Sequence, residues 1–275
     1  MESASPAARG PWESRVRDLY VRWVRPRIQS PIARQRLKLF WFVWGYGPLL
    51  RLRLPIARRL SLLRRFLRVD WNVPHAHRPS EIARICEALA SRRARPDEWM
   101  VEAGCWQGGS TAKFSILCEM LGYHLAVFDS FEGVEPMTEE EKSRGYDFSG
   151  EYAAAKALVM DNVARYGAFG SCSFHQGWFS DTLARKPLAH PVRVVYIDCD
   201  VAKGTSEVLT GVVPRLVPDA RVFTQDFHIG PVRELLLDPE TWRRLGVATA
   251  PRIEALCGHL AEIQFNAPPI RGTSE

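Results

Sequence analysis

The chain has 275 residues, 46% hydrophobic, 25% charged and 11% aromatic, a globular composition that excludes a mainly disordered, collagen-like or coiled-coil protein. Its formal charge of +6 joins unlike parts: residues 1–70 hold 16 Lys/Arg against 4 Asp/Glu, and residues 71–275 hold 21 against 27. The acidic body gives no reason to expect nucleic-acid binding, and no recognised nucleic-acid motif accompanies the basic head.

In chain order, the head comes first. Its longest uncharged run, residues 39–50, is twelve residues long and contains Gly45, Gly47 and Pro48, too short and too broken to span a bilayer, which needs about 20 apolar residues. Residues 55–69 read as an amphipathic helix with Ile56, Leu60, Leu63 and Leu67 on one face and Arg58, Ser61, Arg65 and Arg68 on the other. Such a helix packs on the body, joins two copies in a homo-oligomer, or lies on an anionic membrane with Trp41 and Trp44 as anchors. Charge density falls at residues 69–79, where Pro74 and Pro79 interrupt the pattern. The expected division is therefore a basic extension, 1–70, and a main domain, 71–275.

The body alternates. Helices are expected at 80–94 (capped by Ser80), 110–121, 151–166, 204–216 and 232–245, and strands at 99–103, 124–129, 171–176, 192–198 and 221–225. Residues 255–266 are expected to add two short strands. Strands alternating with helices mean an α/β fold with a mostly parallel sheet covered on both faces. Such sheets bind ligands beyond the carboxyl ends of their strands.

Three strand ends carry polar chemistry. At the first, Glu102 precedes a glycine-rich loop, Gly104–Gly109, that opens a helix. Glycines permit tight turning and close backbone approach to a ligand, and Glu102 could take the positive end of an amino-acid-like ligand. The loop is not GxGxxG, so a dinucleotide fingerprint is only partly met; a plain β–α turn fits too. At the second, Asp129 lies 20 residues beyond Gly109, where an acid can accept both ribose hydroxyls or cap a turn. At the third, Asp198 and Asp200 follow one hydrophobic strand, and Asp226 and His228 follow the next. Asp198 and Asp226 would lie side by side, able to hold a hard cation such as Mg²⁺, act as a general base, or simply cap loops.

The segments VEAGCWQGGS, FDSFEG, GWFSDTL, YIDCD and QDFH, in this order over residues 72–265, resemble the macrocin O-methyltransferase family of class I S-adenosylmethionine-dependent methyltransferases, many of which act on sugar hydroxyls of natural products. The resemblance implies a Rossmann-like sheet of seven strands with the last antiparallel. It implies Glu102, Gly104, Gly108 and Ser110 near the methionine part of S-adenosylmethionine, Asp129 on its ribose, and Ser130 beside the adenosine. Gly177 and Trp178 would close over it. Asp198, Asp200 and Asp226 would form a Mg²⁺ site, and Asp198, Asp226 and His228 the catalytic set. Gln225 departs from the acid pair usual in the family and removes one negative charge from the site.

The expected reaction is O-methylation of a small-molecule hydroxyl, with Asp198 or His228 taking the proton. The rivals are an NAD-dependent oxidoreductase and a non-catalytic S-adenosylmethionine-binding relative. Six scattered cysteines without a CxxC pair suggest free thiols in a reducing compartment. The expected location is cytoplasmic, with peripheral membrane contact through residues 1–70 as a variant. The acidic segment 132–150 reads either as a lid over the acceptor site or as a solvated loop.

Overall fold

The computed structural model describes residues 44–186 and 188–265. Their strands are β1 (Trp99–Ala103), β2 (His124–Asp129), β3 (Cys172–Gln176), β4 (Val192–Ile197), β5 (Leu216–Thr224), β6 (Arg252–Cys257) and β7 (Leu260–Gln264). They form one seven-stranded sheet in the order β3-β2-β1-β4-β5-β7-β6. β1 to β5 pair in parallel, and β7 runs antiparallel between β5 and β6. This is the α/β sheet, with its last strand reversed, that the sequence implies.

Alternation along the strands builds two cores. Met100, Leu125, Val127, Val194, Tyr196 and Phe223 face one side. Val101, Ala126, Phe128, Val195 and Val222 face the other. A sheet buried on both faces needs apolar side chains on both sides of each strand, which is why its central strands read as near-continuous hydrophobic runs.

The first face is covered by α1 (Ile56–Asn72), α2 (Pro79–Leu89), α3 (Gly109–Leu121) and α4 (Lys156–Tyr166). The second carries α5 (Ala202–Val212), α6 (Gly230–Leu237), α7 (Pro239–Arg244) and a π turn at Ser180–Ala184. α3 is buried nearly all round, because α1 and α4 pack on the side away from the sheet.

Several boundaries differ from the sequence reading, each for a local reason. The cap of α2 is Arg78 rather than Ser80, because Pro79 takes the first helical position and Glu81 accepts a hydrogen bond from the Arg78 backbone N–H at 2.5 Å. The helix expected at 232–245 is two, since Asp238 caps a new start and Pro239 cannot continue the old one. The helix expected from 151 begins at Lys156.

The face assigned to the head helix is corrected. Ile56 and Leu60 are exposed, Leu63 and Leu67 are half-buried against the core, and the buried stripe of α1 is Leu62, Phe66, Val69 and Asp70. That stripe packs with Tyr46, Leu49, Leu52 and Leu54 into the same core as β1 and α3. Helical spacing alone could not select it, since leucines stand on both sides of α1. The anchor role considered for Trp41 concerns a residue outside the described ones.

Candidate active site

Each parallel strand hands its last hydrogen bonds to the loop that follows. Gly104 donates to Phe128 O, Gly177 to Asp129 O, Asp198 to Ala103 O and Gln225 to Ile197 O, at 2.8–3.0 Å. The ladder thus extends past the strands and brings four loops to one rim. Gly104 is at φ +85°, and a Cβ there would stand 1.8 Å from Asp198 O. Only glycine lets β1 and β4 end this close together.

Between these loops lies a cavity of about 280 Å³. Ten of the residues expected at the site line it: Gly104, Ser110, Asp129, Ser130, Gly177, Trp178, Asp198, Asp200, Asp226 and His228. Glu102 and Gly108 do not. Glu102 is buried on β1, and neither carboxylate oxygen has a hydrogen-bond partner. Burial pushes its carboxyl up to about 7, against the pull of the nearby Ser110 and Thr111 hydroxyls. Gly108 is the left-handed N-cap of α3, where a Cβ would press on Val159 of α4 at 3.1 Å; its place serves helix packing.

At one end of the cavity, Asp129 organises the β1 and β2 loops. Its Oδ2 accepts from the Cys105 N–H and its Oδ1 from the Phe131 N–H, both at 2.7 Å. Ser130 Oγ donates to Gly133 O and accepts from the Glu132 N–H, fixing the next turn.

At the other end, Asp198, Asp200 and Asp226 present carboxylate oxygens within 4.8 Å of one another. Asp226 is buried; its Oδ2 accepts from the N–H groups of Cys199 and Asp200 at 2.9 and 3.0 Å, and its Oδ1 has no partner. Asp198 Oδ2 accepts from the Tyr196 hydroxyl at 3.0 Å, and Gln225 Oε1 accepts from the same hydroxyl at 3.4 Å. Burial raises the Asp198 and Asp226 carboxyls above the ordinary range, helped by the charges of Asp226 and Asp200 at Asp198 and of Asp200 at Asp226. An orphaned oxygen among clustered acids is the donor set that a hard divalent cation takes. His228 stands exposed at the rim, its Nδ1 3.3 Å from Gln225 O and its ring 4.0 Å from that of His259. Partial desolvation of the ring, and then His259, lower its pKa.

The expectation for segment 132–150 left lid and surface loop open. The structure gives it a short helix, Glu139–Ser143, capped by Thr138 and burying no residue, with contacts to the body on either side. Arg144 pairs with Glu234, Lys203 with Glu135, and the Tyr146 hydroxyl accepts from the Gly230 N–H. Val134, Glu135 and Phe148 of this segment line the cavity.

Sequence reading missed His75, His77 and His259, which also line it. The first two lie in a stretch read only as a boundary. His259 is held by Glu81, whose Oε1 accepts its backbone N–H at 2.9 Å, a contact across 178 residues that no local pattern announces. Among the described residues, six carboxylates and no Lys or Arg line the cavity. The cavity therefore favours a cationic ligand and disfavours a pyrophosphate, which asks for basic partners.

Residues 83–249 match the model of the macrocin O-methyltransferase family. A tetracenomycin rhamnosyl 4'-O-methyltransferase of Streptomyces olivaceus is 30% identical over 148 residues, 50% of this chain and 56% of that protein. The mycinamicin III 3''-O-methyltransferase of Micromonospora griseorubida is 29% identical over 160 residues, 54% of this chain and 62% of that protein. The matches thus span little more than half the length of either relative. Among solved structures, the O-methyltransferase NovP gives a TM-score of 0.51 at 19% identity, over 74% of this chain and 78% of that one. The calicheamicin methyltransferase CalS11 gives 0.52 at 15% identity, over 86% and 94%. These two likenesses are of fold: a Rossmann-like class I methyltransferase sheet. The family match takes in β1 to β5 and every strand-end acid of the cavity, and so the chain belongs to the macrocin O-methyltransferase family.

Proposed function

We propose that the chain is an S-adenosylmethionine-dependent O-methyltransferase acting on a sugar hydroxyl of a natural-product glycoside. One observation carries this reading: one cavity joins the glycine loop and Asp129 to the Asp198–Asp200–Asp226 cluster, with no Lys or Arg among the described residues that line it. The family supplies the cofactor class, and the S. olivaceus relative is named for a rhamnosyl compound. The sulfonium of S-adenosylmethionine supplies an already activated methyl group, so the protein's work is alignment and proton removal.

In this reading Asp129 holds the ribose, and the Gly104 turn lets the cofactor lie against the β1 backbone. Gly177 and Trp178 cover it and exclude water. Asp198, held by Tyr196, takes the proton from the acceptor oxygen, and His228 contacts the acceptor at the rim. The three aspartates fit Mg²⁺, which when bound would lower the pKa of the acceptor hydroxyl. Gln225, turned to Tyr196, holds the Asp198 side of the cluster without adding charge.

The catalytic unit is residues 71–275 together with the described part of the basic extension, whose Leu62, Phe66 and Val69 belong to the same core. Exposed Ile56, Leu60 and Trp71 share the outer face of α1 with Arg64 and Arg68. That combination supports peripheral contact with anionic lipid, to be checked by co-sedimentation with anionic vesicles.

The test is binding and turnover together. The purified chain should bind S-adenosylhomocysteine and methylate a glycoside from a rhamnoside panel. Asp198→Asn should lower turnover by about 10²–10⁴-fold with the cofactor Kd unchanged. Cofactor binding with no turnover across the panel would favour the non-catalytic relative; NAD binding in place of S-adenosylhomocysteine would refute the reading.

A further inference from the structure

The β6–β7 hairpin reaches the cavity through its turn. β7 runs antiparallel to β5 with Ala261 opposite Thr224, so the chain just ahead of β7 stands beside the loop that carries Gln225, Asp226 and His228. Cys257 pairs with Leu260, which leaves Gly258 and His259 as the whole turn. His259 lines the cavity, with its ring 4.0 Å from that of His228 and tilted by 53°.

Glu81, in the first turn of α2, fixes this turn in place. It is fully buried. Its Oε2 accepts from the Arg78 N–H at 2.5 Å and its Oε1 from the His259 N–H at 2.9 Å. Gly258 is at φ +61°, and a Cβ there would collide with Glu81 Oε1; only glycine lets the turn come down onto the carboxylate. One buried side chain thus joins the start of a helix to a hairpin turn 178 residues on. Bonds from N–H to a carboxylate are roughly twice as strong as neutral ones, so the turn has little freedom to carry His259 elsewhere.

The turn delivers a group of a kind the acceptor end otherwise lacks. The neighbouring polar side chains are engaged within the protein: Asp226 Oδ2 accepts from two backbone N–H groups, and Asp198 and Gln225 accept from the Tyr196 hydroxyl. An uncharged imidazole both donates and accepts, as a sugar hydroxyl does. His228 and His259 come from separate elements and stand exposed side by side at the rim. A pyranose offers hydroxyls on neighbouring carbons, and two adjacent imidazoles match such a pair.

We propose that His259 binds a second hydroxyl of the acceptor sugar, on the carbon next to the one methylated, and so selects a vicinal diol as substrate. Glu81 is a positioning residue that acts through His259. The proposal rests on the methyltransferase reading and names the substrate feature that the site distinguishes.

The full-length chain is assayed on methyl α-L-rhamnoside and on its monodeoxy analogues, with the methylated position read by NMR, beside His259→Ala, His259→Gln, Glu81→Gln and the Glu81→Gln/His259→Ala double variant. The wild type should favour the rhamnoside over the analogue lacking the neighbouring hydroxyl by about tenfold in kcat/KM, the range of one hydrogen bond. His259→Ala should bring that ratio to within about threefold of unity, through KM rather than kcat. Its S-adenosylhomocysteine Kd and Tm should stay near wild type, which shows that it is folded. His259→Gln, whose amide also donates and accepts, should keep most of the ratio. Glu81→Gln has one amide oxygen for two N–H groups and should lower both Tm and the ratio; in the His259→Ala background it should lower Tm alone. An unchanged ratio in His259→Ala would overturn the proposal, and a further fall of the ratio in the double variant would overturn the role of Glu81. A wild type that methylates both glycosides equally would overturn the proposal and leave the methyltransferase reading standing. One that methylates neither would overturn both.

Discussion

Gly104 shows how much one residue can control at this site. Its φ of +85° and the 1.8 Å approach of a Cβ to Asp198 O exclude any side chain. Gly104→Ala should cost about 1–3 kcal/mol of stability and open the β1–β4 junction, read as a lower Tm together with weaker S-adenosylhomocysteine binding. Asp226 divides its two oxygens between structure and chemistry. Because Oδ2 serves two backbone N–H groups and Oδ1 serves none, Asp226→Asn can keep the backbone contacts with its carbonyl oxygen. Its Tm without metal should stay near wild type, while the thermal shift produced by Mg²⁺ after chelation should disappear. Glu102 gives a pH signature. Its folded-state pKa, about 7, lies above the ordinary 4.5, so the folded chain binds the extra proton and stability falls as pH rises from about 4.5 to 7. Glu102→Gln should flatten that part of the urea-derived stability profile of the ligand-free protein. At pH 8 it should be the more stable form, by on the order of 2 kcal/mol.

At the scale of elements, α1 is the clearest case of tertiary selection. Phe66 is fully buried with its ring 5.4 Å from that of Tyr46, edge to face at 75°. Phe66→Ala should destabilise by about 3–5 kcal/mol, whereas Leu60→Ala, on the exposed face, should fall within about 0.5 kcal/mol of wild type; urea titration of both measures the difference. β2 was read from the sequence with both ends in place, because six residues rich in apolar side chains end at an acid and are followed by a glycine-containing turn. α3 was also found, yet its buried lysine was not, since a single Lys in a helix ordinarily marks a solvated face. The partners of Lys113 are Asp70 and His77, 43 and 36 positions away, and only the packing of α1 on α3 brings them together.

For the whole molecule, the charge division has a geometric counterpart. Six acids of the body line one cavity, and no Lys or Arg is among the described residues that line it. S-adenosylhomocysteine should therefore stabilise the folded chain by about 2.7 kcal/mol at a hundredfold excess over its Kd, while NAD at the same concentration should leave Tm unchanged in the same thermal scan. The exposed arginines of α1 lie on the outside of the helix whose inner stripe joins the sheet core, so the basic surface and the acidic cavity belong to one packed body.

By itself the sequence determined the fold class, the strands in chain order and the acids at their ends. These are local signals: a hydrophobic run, then a glycine or carboxylate, in a repeating β–α pattern. Tertiary structure alone decided which stripe of α1 is buried and that Glu102 and Gly108 lie outside the cavity lining. It also brought His259 against His228, and His77 with Lys113 and Asp70 against the start of α3. Those outcomes depend on which surfaces meet across dozens of residues, and periodicity along the chain carries no record of such meetings.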